Sequence, residues 1–131
     1  MSTGRAEAFS DGVFAVAITV LVFGLLPIGT GKLDAGVLLD AWPQYFAYVV
    51  SFLTIGIMWV QHHRLFTLIR RSNSTFAMIN VIFLMLIAFV PFPTAVLAQR
   101  LGSDVDTVGA TILYGATMTA IAVLFNAIWR Y

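Results

Sequence analysis

The sequence predicts an all-α integral membrane protein, a single domain over 1–131 built as a bundle of four transmembrane helices. Three observations carry that prediction. Apolar residues make up 60% of the chain and charged residues 10%, against roughly 45–50% and about 25% in soluble domains. The mean hydropathy is +0.95. Charge-free stretches of 20, 23, 28 and 23 residues separate Asp11 from Lys32, Asp40 from Arg64, Arg71 from Arg100, and Asp106 from Arg130. About 20 residues suffice to cross ~30 Å of hydrocarbon as a helix. Apolar–polar alternation is absent, which argues against a barrel.

The first span is placed at 9–27. A preface with Arg5, Glu7, Ser10 and Asp11 opens directly onto an apolar run from Gly12 to Phe23. It superficially resembles a signal peptide, but the acids interrupt the basic region and no small-residue cleavage site follows, so the segment is expected to be retained. At about 100° per residue, Gly12, Val16, Thr19, Val20 and Phe23 share one face, extended backwards by Arg5 and Phe9. Asp11 points about 120° away. An unpaired carboxylate at this depth is costly, so Asp11 is expected to pair with Arg or His from another helix, or to lie in the headgroup layer. Arg5, six residues earlier, is on the wrong face to serve. Thr19 admits two readings: a hydroxyl bonded back to the carbonyl of Ala15, or one facing a pore.

The glycine-rich connection 28–41 is expected to turn flexibly, with room for a short interfacial helix. The second span, 42–69, ends on Trp59-Val60-Gln61-His62-His63-Arg64, on the same side as Asp11. Either histidine can lie beneath Trp59 at helical spacing. The two point in different directions, and the chain has no cysteine, so a metal site is not expected. Hydrogen bonding to Asp11, Ser10 or Arg5 is the expected use of these histidines. Arg64, Arg70 and Arg71 are expected to anchor the topology and the headgroups.

The third span, 75–99, carries Asn80, a buried amide that needs a partner. Pro91 and Pro93 near its outer end predict a kink or break. After a short turn around Gly102 and Ser103, the fourth span, 106–130, presents Gly109, Ala110, Thr111, Gly115, Ala116, Thr117 and Thr119, a small-residue set suited to close helix contact. Five of the seven Lys and Arg residues fall at one end of this arrangement, which predicts that both termini are cytoplasmic. The expected location of this multi-pass protein is the plasma membrane.

Several function classes are excluded or unsupported. The net charge of +1 does not suit a nucleic-acid partner. Without cysteine there is no thiol chemistry, and no nucleophile–base–oxyanion arrangement is recognisable, so an enzyme is not expected.

Arg5-x-x-x-Phe9-Ser10-Asp11, with Gly12 and Thr19, resembles the signature that opens the first helix of the endosomal/lysosomal potassium channel family and its bacterial homologues. Trp59–Arg64 and Pro91-Phe92-Pro93-Thr94 are similar to the second and third helices of bacterial members. The resemblance implies a potassium-selective or potassium-leak channel, a homotetramer in the bilayer whose first helices line a central pore. It needs no cofactor and carries only permeating potassium. It further implies a hydrophobic constriction at Val16, continued by Val20 and Phe23, with Thr19 as a hydroxyl layer favouring potassium. A polar network of Arg5, Ser10 and Asp11 is implied, with Trp59, His62, His63 and Asn80 as candidates for its other members. Isoleucine is usual at the constriction, where Val16 is smaller. The family repeat has six helices and this chain four, so it reads as a shortened form of that repeat. Two alternatives remain on the residues alone. One is a non-conducting structural or assembly protein, and the other a proton-coupled small-solute transporter using Asp11 and a histidine.

Overall fold

In the computed structural model the described residues are 2–29, 31–69, 73–101 and 107–131. They form six α-helices and one 3₁₀ segment: α1 (Thr3–Val20), the 3₁₀ segment Leu21–Gly29, α2 (Ala35–Asp40), α3 (Trp42–Leu68), α4 (Ser74–Phe89), α5 (Pro91–Arg100) and α6 (Val108–Arg130). Four stretches are long and apolar enough to cross a membrane: Thr3–Leu26, Trp42–Leu68, Ser74–Arg100 and Val108–Arg130.

Local chemistry sets the boundaries. The first helix begins at Thr3, six residues before the expected start at Phe9, because Ser2 caps it by accepting from the Arg5 N–H at 3.4 Å. Arg5, Glu7 and Ser10 are therefore helical, each with a fixed direction. The expected α-helix does not run on to Pro27. It gives way to a 3₁₀ helix at Leu21. The connection to the second span does contain a short helix, α2, capped by Asp34 through the Val37 N–H at 2.9 Å. In α3, Pro43 occupies the first turn, where its missing N–H costs nothing. Asn73 caps α4, its Oδ1 accepting from the Phe76 N–H at 2.8 Å while its Nδ2 donates to the Tyr131 hydroxyl at 2.6 Å.

The third span breaks where the prolines predict. α4 stops at Phe89 and α5 starts at Pro91, with Val90 donating only three residues back, to the Ile87 carbonyl at 3.2 Å. The expected turn residues Arg70, Arg71, Ser72, Gly102 and Ser103 lie outside the described residues, as does Asp106, the predicted first residue of the last span.

Against α1 pack α3 and α4, while α6 packs on α4 and α5, and α5 lies between the 3₁₀ segment and α3. The core runs down the middle through Phe14, Ile55, Phe83, Ile87, Val90, Ile121 and Ile128, all at most 3% exposed. One end of the bundle collects the start of α1, the end of α3, the start of α4 and the end of α6, as the Glu7–His63 and Asn73–Tyr131 contacts show. The small-residue set of α6 is only partly used for packing within the chain. Ala110 and Thr117 are buried, whereas Gly109, Thr111, Gly115, Ala116 and Thr119 are exposed.

Candidate functional site

α1 has one face locked into the bundle and one face left open. On the locked face, Ala6, Ser10, Phe14, Ala17 and Leu21 are buried against α3, α4 and α5. On the open face, Phe9 and Phe23 are each 61% exposed and Val16 is 62% exposed. Arg5, Gly12 and Thr19 are exposed beside them, and Val20 is half-buried. Among the described residues, the stripe expected from the wheel is thus the more open face of the helix, with Val20 at its half-buried edge.

The locked face is held by a buried polar chain whose direction follows from its donors. The Ser10 hydroxyl donates to the Ala6 carbonyl at 2.7 Å. Having spent its hydrogen, its oxygen accepts from Asn80 Nδ2 at 3.0 Å. Asn80 then turns Oδ1 to His62 Nε2 at 2.8 Å, so Nε2 must carry the proton and donate. His62 is fully buried and Nδ1 has no partner among the described residues. Its ring is enclosed by Phe66 at 4.6 Å, Phe14 at 5.3 Å and Phe83 at 5.8 Å between centroids. This chain joins α1, α3 and α4 through three side chains.

Beside it runs a second set of contacts between α1 and α3. The Trp59 indole N–H donates to Asp11 Oδ1 at 2.9 Å, and His63 Nδ1 lies 2.7 Å from Glu7 Oε1. The sequence leads one to expect Arg or His of another helix, or the headgroup layer, as the partner of Asp11. The indole takes that place because His62 is turned inward and His63 is one turn too far along α3. Trp59 and His63 stack at 25° with centroids 6.4 Å apart. Of the residues expected in the polar network, Ser10, His62 and Asn80 come together in one chain and Asp11 with Trp59 in another contact, while His63 pairs with Glu7. Arg5 joins none of these. Its side chain is exposed and makes no hydrogen bond or ion pair among the described residues.

Two features escaped the sequence. Glu7 had a signal: it precedes Asp11 by four residues as Trp59 precedes His63, so two antiparallel helices joined at 11 and 59 must also meet at 7 and 63. The other is a polar node toward the opposite end. Thr94 donates to the Val90 carbonyl at 2.9 Å, so its oxygen accepts from Ser51 at 2.8 Å, and Ser51 in turn accepts from the Tyr114 hydroxyl at 2.9 Å. The node ties α3, α5 and α6 together where α4 gives way to α5.

Thr19 Oγ1 lies 3.0 Å from the Ala15 carbonyl and 2.9 Å from that of Val16. Its hydrogen is directed into its own helix, which leaves the oxygen lone pairs turned outward. The two readings of Thr19 are therefore compatible. A hydroxyl bonded back along its helix still presents an acceptor to a cation. No group of three or more His, Asp or Glu residues among the described residues is placed to hold a metal ion.

The family model described as endosomal/lysosomal potassium channel TMEM175 matches residues 5–91. A potassium channel of Streptomyces collinus is 46% identical over 97% of this chain, and one of Chamaesiphon minutus is 46% identical over 98%. The chain spans 63% and 65% of the length of these two relatives. The crystal structure of a lysosomal potassium-selective channel TMEM175 homolog from Chamaesiphon minutus superposes with a TM-score of 0.87 at 43% identity. The match covers 98% of this chain and 70% of the other.

Proposed function

The chain belongs to the endosomal/lysosomal potassium channel TMEM175 family, and from that premise we propose that it is a passive potassium-selective or potassium-leak channel. Copies of the chain, four by the family resemblance, set their first helices around a common axis. Val16, Thr19, Val20 and Phe23 line the pathway. The observation that carries this reading is the open face of α1. Lipid covers apolar faces of this kind, and Ile57, Met85 and Val123 on other helices are as exposed as Val16. The α1 face supports a pore because it belongs to the helix where the family match begins. It also sets the Thr19 hydroxyl, bonded back along its own helix, among its apolar side chains. Grooves of about 530 Å³ along Phe9–Val20 and about 260 Å³ between Ala15 and Gly56 flank the helix on either side.

In this reading an ion meets a narrow apolar neck at Val16, where dewetting and partial dehydration set the barrier. The outward lone pairs of Thr19 replace part of the hydration shell. Ser10 and Asp11 hold the helix so that these side chains face the axis, with Glu7 in the place expected of Arg5. No covalent step occurs, so no cofactor is required. In this reading the chain is a multi-pass protein of the plasma membrane, and the excess of Lys and Arg at the end holding Arg5 and Arg64 supports cytoplasmic termini.

Purified chain in liposomes carrying a potassium gradient tests the proposal. Potassium efflux above sodium efflux is expected, rising in Val16→Asn because a polar neck wets more readily. Absence of flux, or flux indifferent to Val16 and Thr19, would sink it. Loss of the oligomer in Thr19→Ala without any transport change would favour a structural role. Substrate uptake driven by pH and abolished in Asp11→Asn would favour a coupled transporter.

A further inference from the structure

The 3₁₀ segment Leu21–Gly29 continues the first span on a different period, and this changes which side chains share a face. An α-helix advances about 100° per residue, whereas a 3₁₀ helix advances about 120°, so that residues three apart eclipse. The exposure pattern follows the three-residue period. Leu21 is buried at 2%, and Gly24, three residues on, faces α5, where a Cβ would come within 3.3 Å of that of Ala95. Phe23 is 61% exposed and Leu26 is 62% exposed, forming a second row above Val20. Val22 and Leu25 form the third row.

We infer that Leu26 is a fourth apolar position on the ion pathway, in line with Val20 and Phe23 and nearer the outer mouth. An α-helical continuation would have left Leu26 about 120° from Val20. The 3₁₀ turn returns it to the same line, and at about 2.0 Å rise per residue it stands about 12 Å beyond Val20. The seating of Gly24 on Ala95 keeps this register, since the inner row cannot rotate without driving a neighbour into α5. Leu26 then adds a dehydrated ring outside the neck, and its size and polarity tune how readily hydrated cations enter.

The inference rests on the pore reading above, and cysteine cross-linking separates the two. The chain has no cysteine, so single substitutions report without background. Val16→Cys, Phe23→Cys, Leu25→Cys and Leu26→Cys are compared in the 131-residue chain in liposomes, oxidised with copper phenanthroline and read as disulfide-linked dimers. Residues facing a common axis meet their copies. Cross-linking at 16, 23 and 26 is expected, with Leu26→Cys at least about tenfold faster than Leu25→Cys. Each position is exposed or half-buried, and modification by a positively charged thiol reagent checks that each variant has folded and presents its thiol. Cross-linking at Phe23→Cys with Leu25→Cys as fast as Leu26→Cys, or with neither, overturns the inference and leaves the pore reading intact. Failure at both Val16→Cys and Phe23→Cys overturns the pore reading itself.

Discussion

Trp59 donates its indole N–H to Asp11 at 2.9 Å, so the carboxylate at the water–hydrocarbon boundary is held by a neutral donor rather than a cation. The contact joins two helices, because Asp11 is on α1 and Trp59 on α3. An amide at position 11 can still accept from the indole, whereas a phenyl ring at position 59 leaves the carboxylate without its donor. Trp59→Phe is therefore expected to cost more stability than Asp11→Asn, by about 1 kcal/mol given that both groups are partly solvated. Thermal unfolding in detergent measures the difference. Equal losses would mean that the bond contributes little.

The Ser10–Asn80–His62 chain makes a sharper prediction, because all three members are buried. Asn80→Leu strands the Nε2–H of His62 and should cost about 1–3 kcal/mol. Adding His62→Phe removes the stranded donor and places a fourth phenyl ring among Phe14, Phe66 and Phe83. The double variant should recover part of the loss. A double variant less stable than Asn80→Leu would show that His62 contributes through packing rather than through its bond to Asn80.

Much of this was legible because membrane solvent imposes simple rules. Charge-free length set four spans, and the 3.6-residue period separated Asp11 from the Val16 face. The prolines at 91 and 93 marked the break between α4 and α5. The rest depended on which helix neighbours which. Ser51, Thr94 and Tyr114 are common residue types lying 43 and 63 positions apart in their bonded pairs, and nothing local distinguishes them from lipid-facing ones. Arg5 is expected in the network only from its place in the signature, and its exposed side chain bonds to no other member among the described residues. The 3₁₀ turn at Leu21 was hidden because Leu-Val-Phe-Gly-Leu-Leu suits either helix.

The Tyr114–Ser51–Thr94 node predicts a ranking. Ser51 sits in the middle, donating to Thr94 and accepting from Tyr114. Ser51→Ala strands the tyrosine hydroxyl and removes a donor from Thr94, and should cost about 1–2 kcal/mol. Tyr114→Phe removes only the terminal donor and should cost less, nearer 0.5 kcal/mol by the magnitudes of hydrogen bonds between membrane helices. Unfolding midpoints of the two variants decide the order, and the reverse order would place the strength of the node at its rim.

On α6, Gly115 faces outward, and a Cβ there meets nothing within 4 Å. Gly115→Ala is accordingly expected to leave the fold of the single chain unchanged, or to stabilise it slightly by relieving the helix of a glycine. Unfolding of the chain should show no loss. A loss of more than about 1 kcal/mol, well outside the scatter of surface substitutions, would mean that another helix approaches closely at this position.

Gly24 offers the opposite case. The Cβ built at this position lies 3.3 Å from Ala95 Cβ and 3.5 Å from its Cα, tighter than comfortable packing. The atoms it meets are a methyl and backbone, neither of which can swing aside as the end of a long side chain would. Gly24→Ala therefore forces the 3₁₀ segment and α5 apart by a few tenths of an ångström, and Gly24→Val forces them farther. Overpacking of this kind costs about 1–3 kcal/mol. Ala95→Gly removes the opposing methyl and should restore most of the loss in Gly24→Ala but less in Gly24→Val. The same displacement would shift the row formed by Phe23 and Leu26, so potassium flux in Gly24→Ala should change along with stability and return with Ala95→Gly. Stability restored without flux would separate the packing of the outer bundle from the position of the first helix.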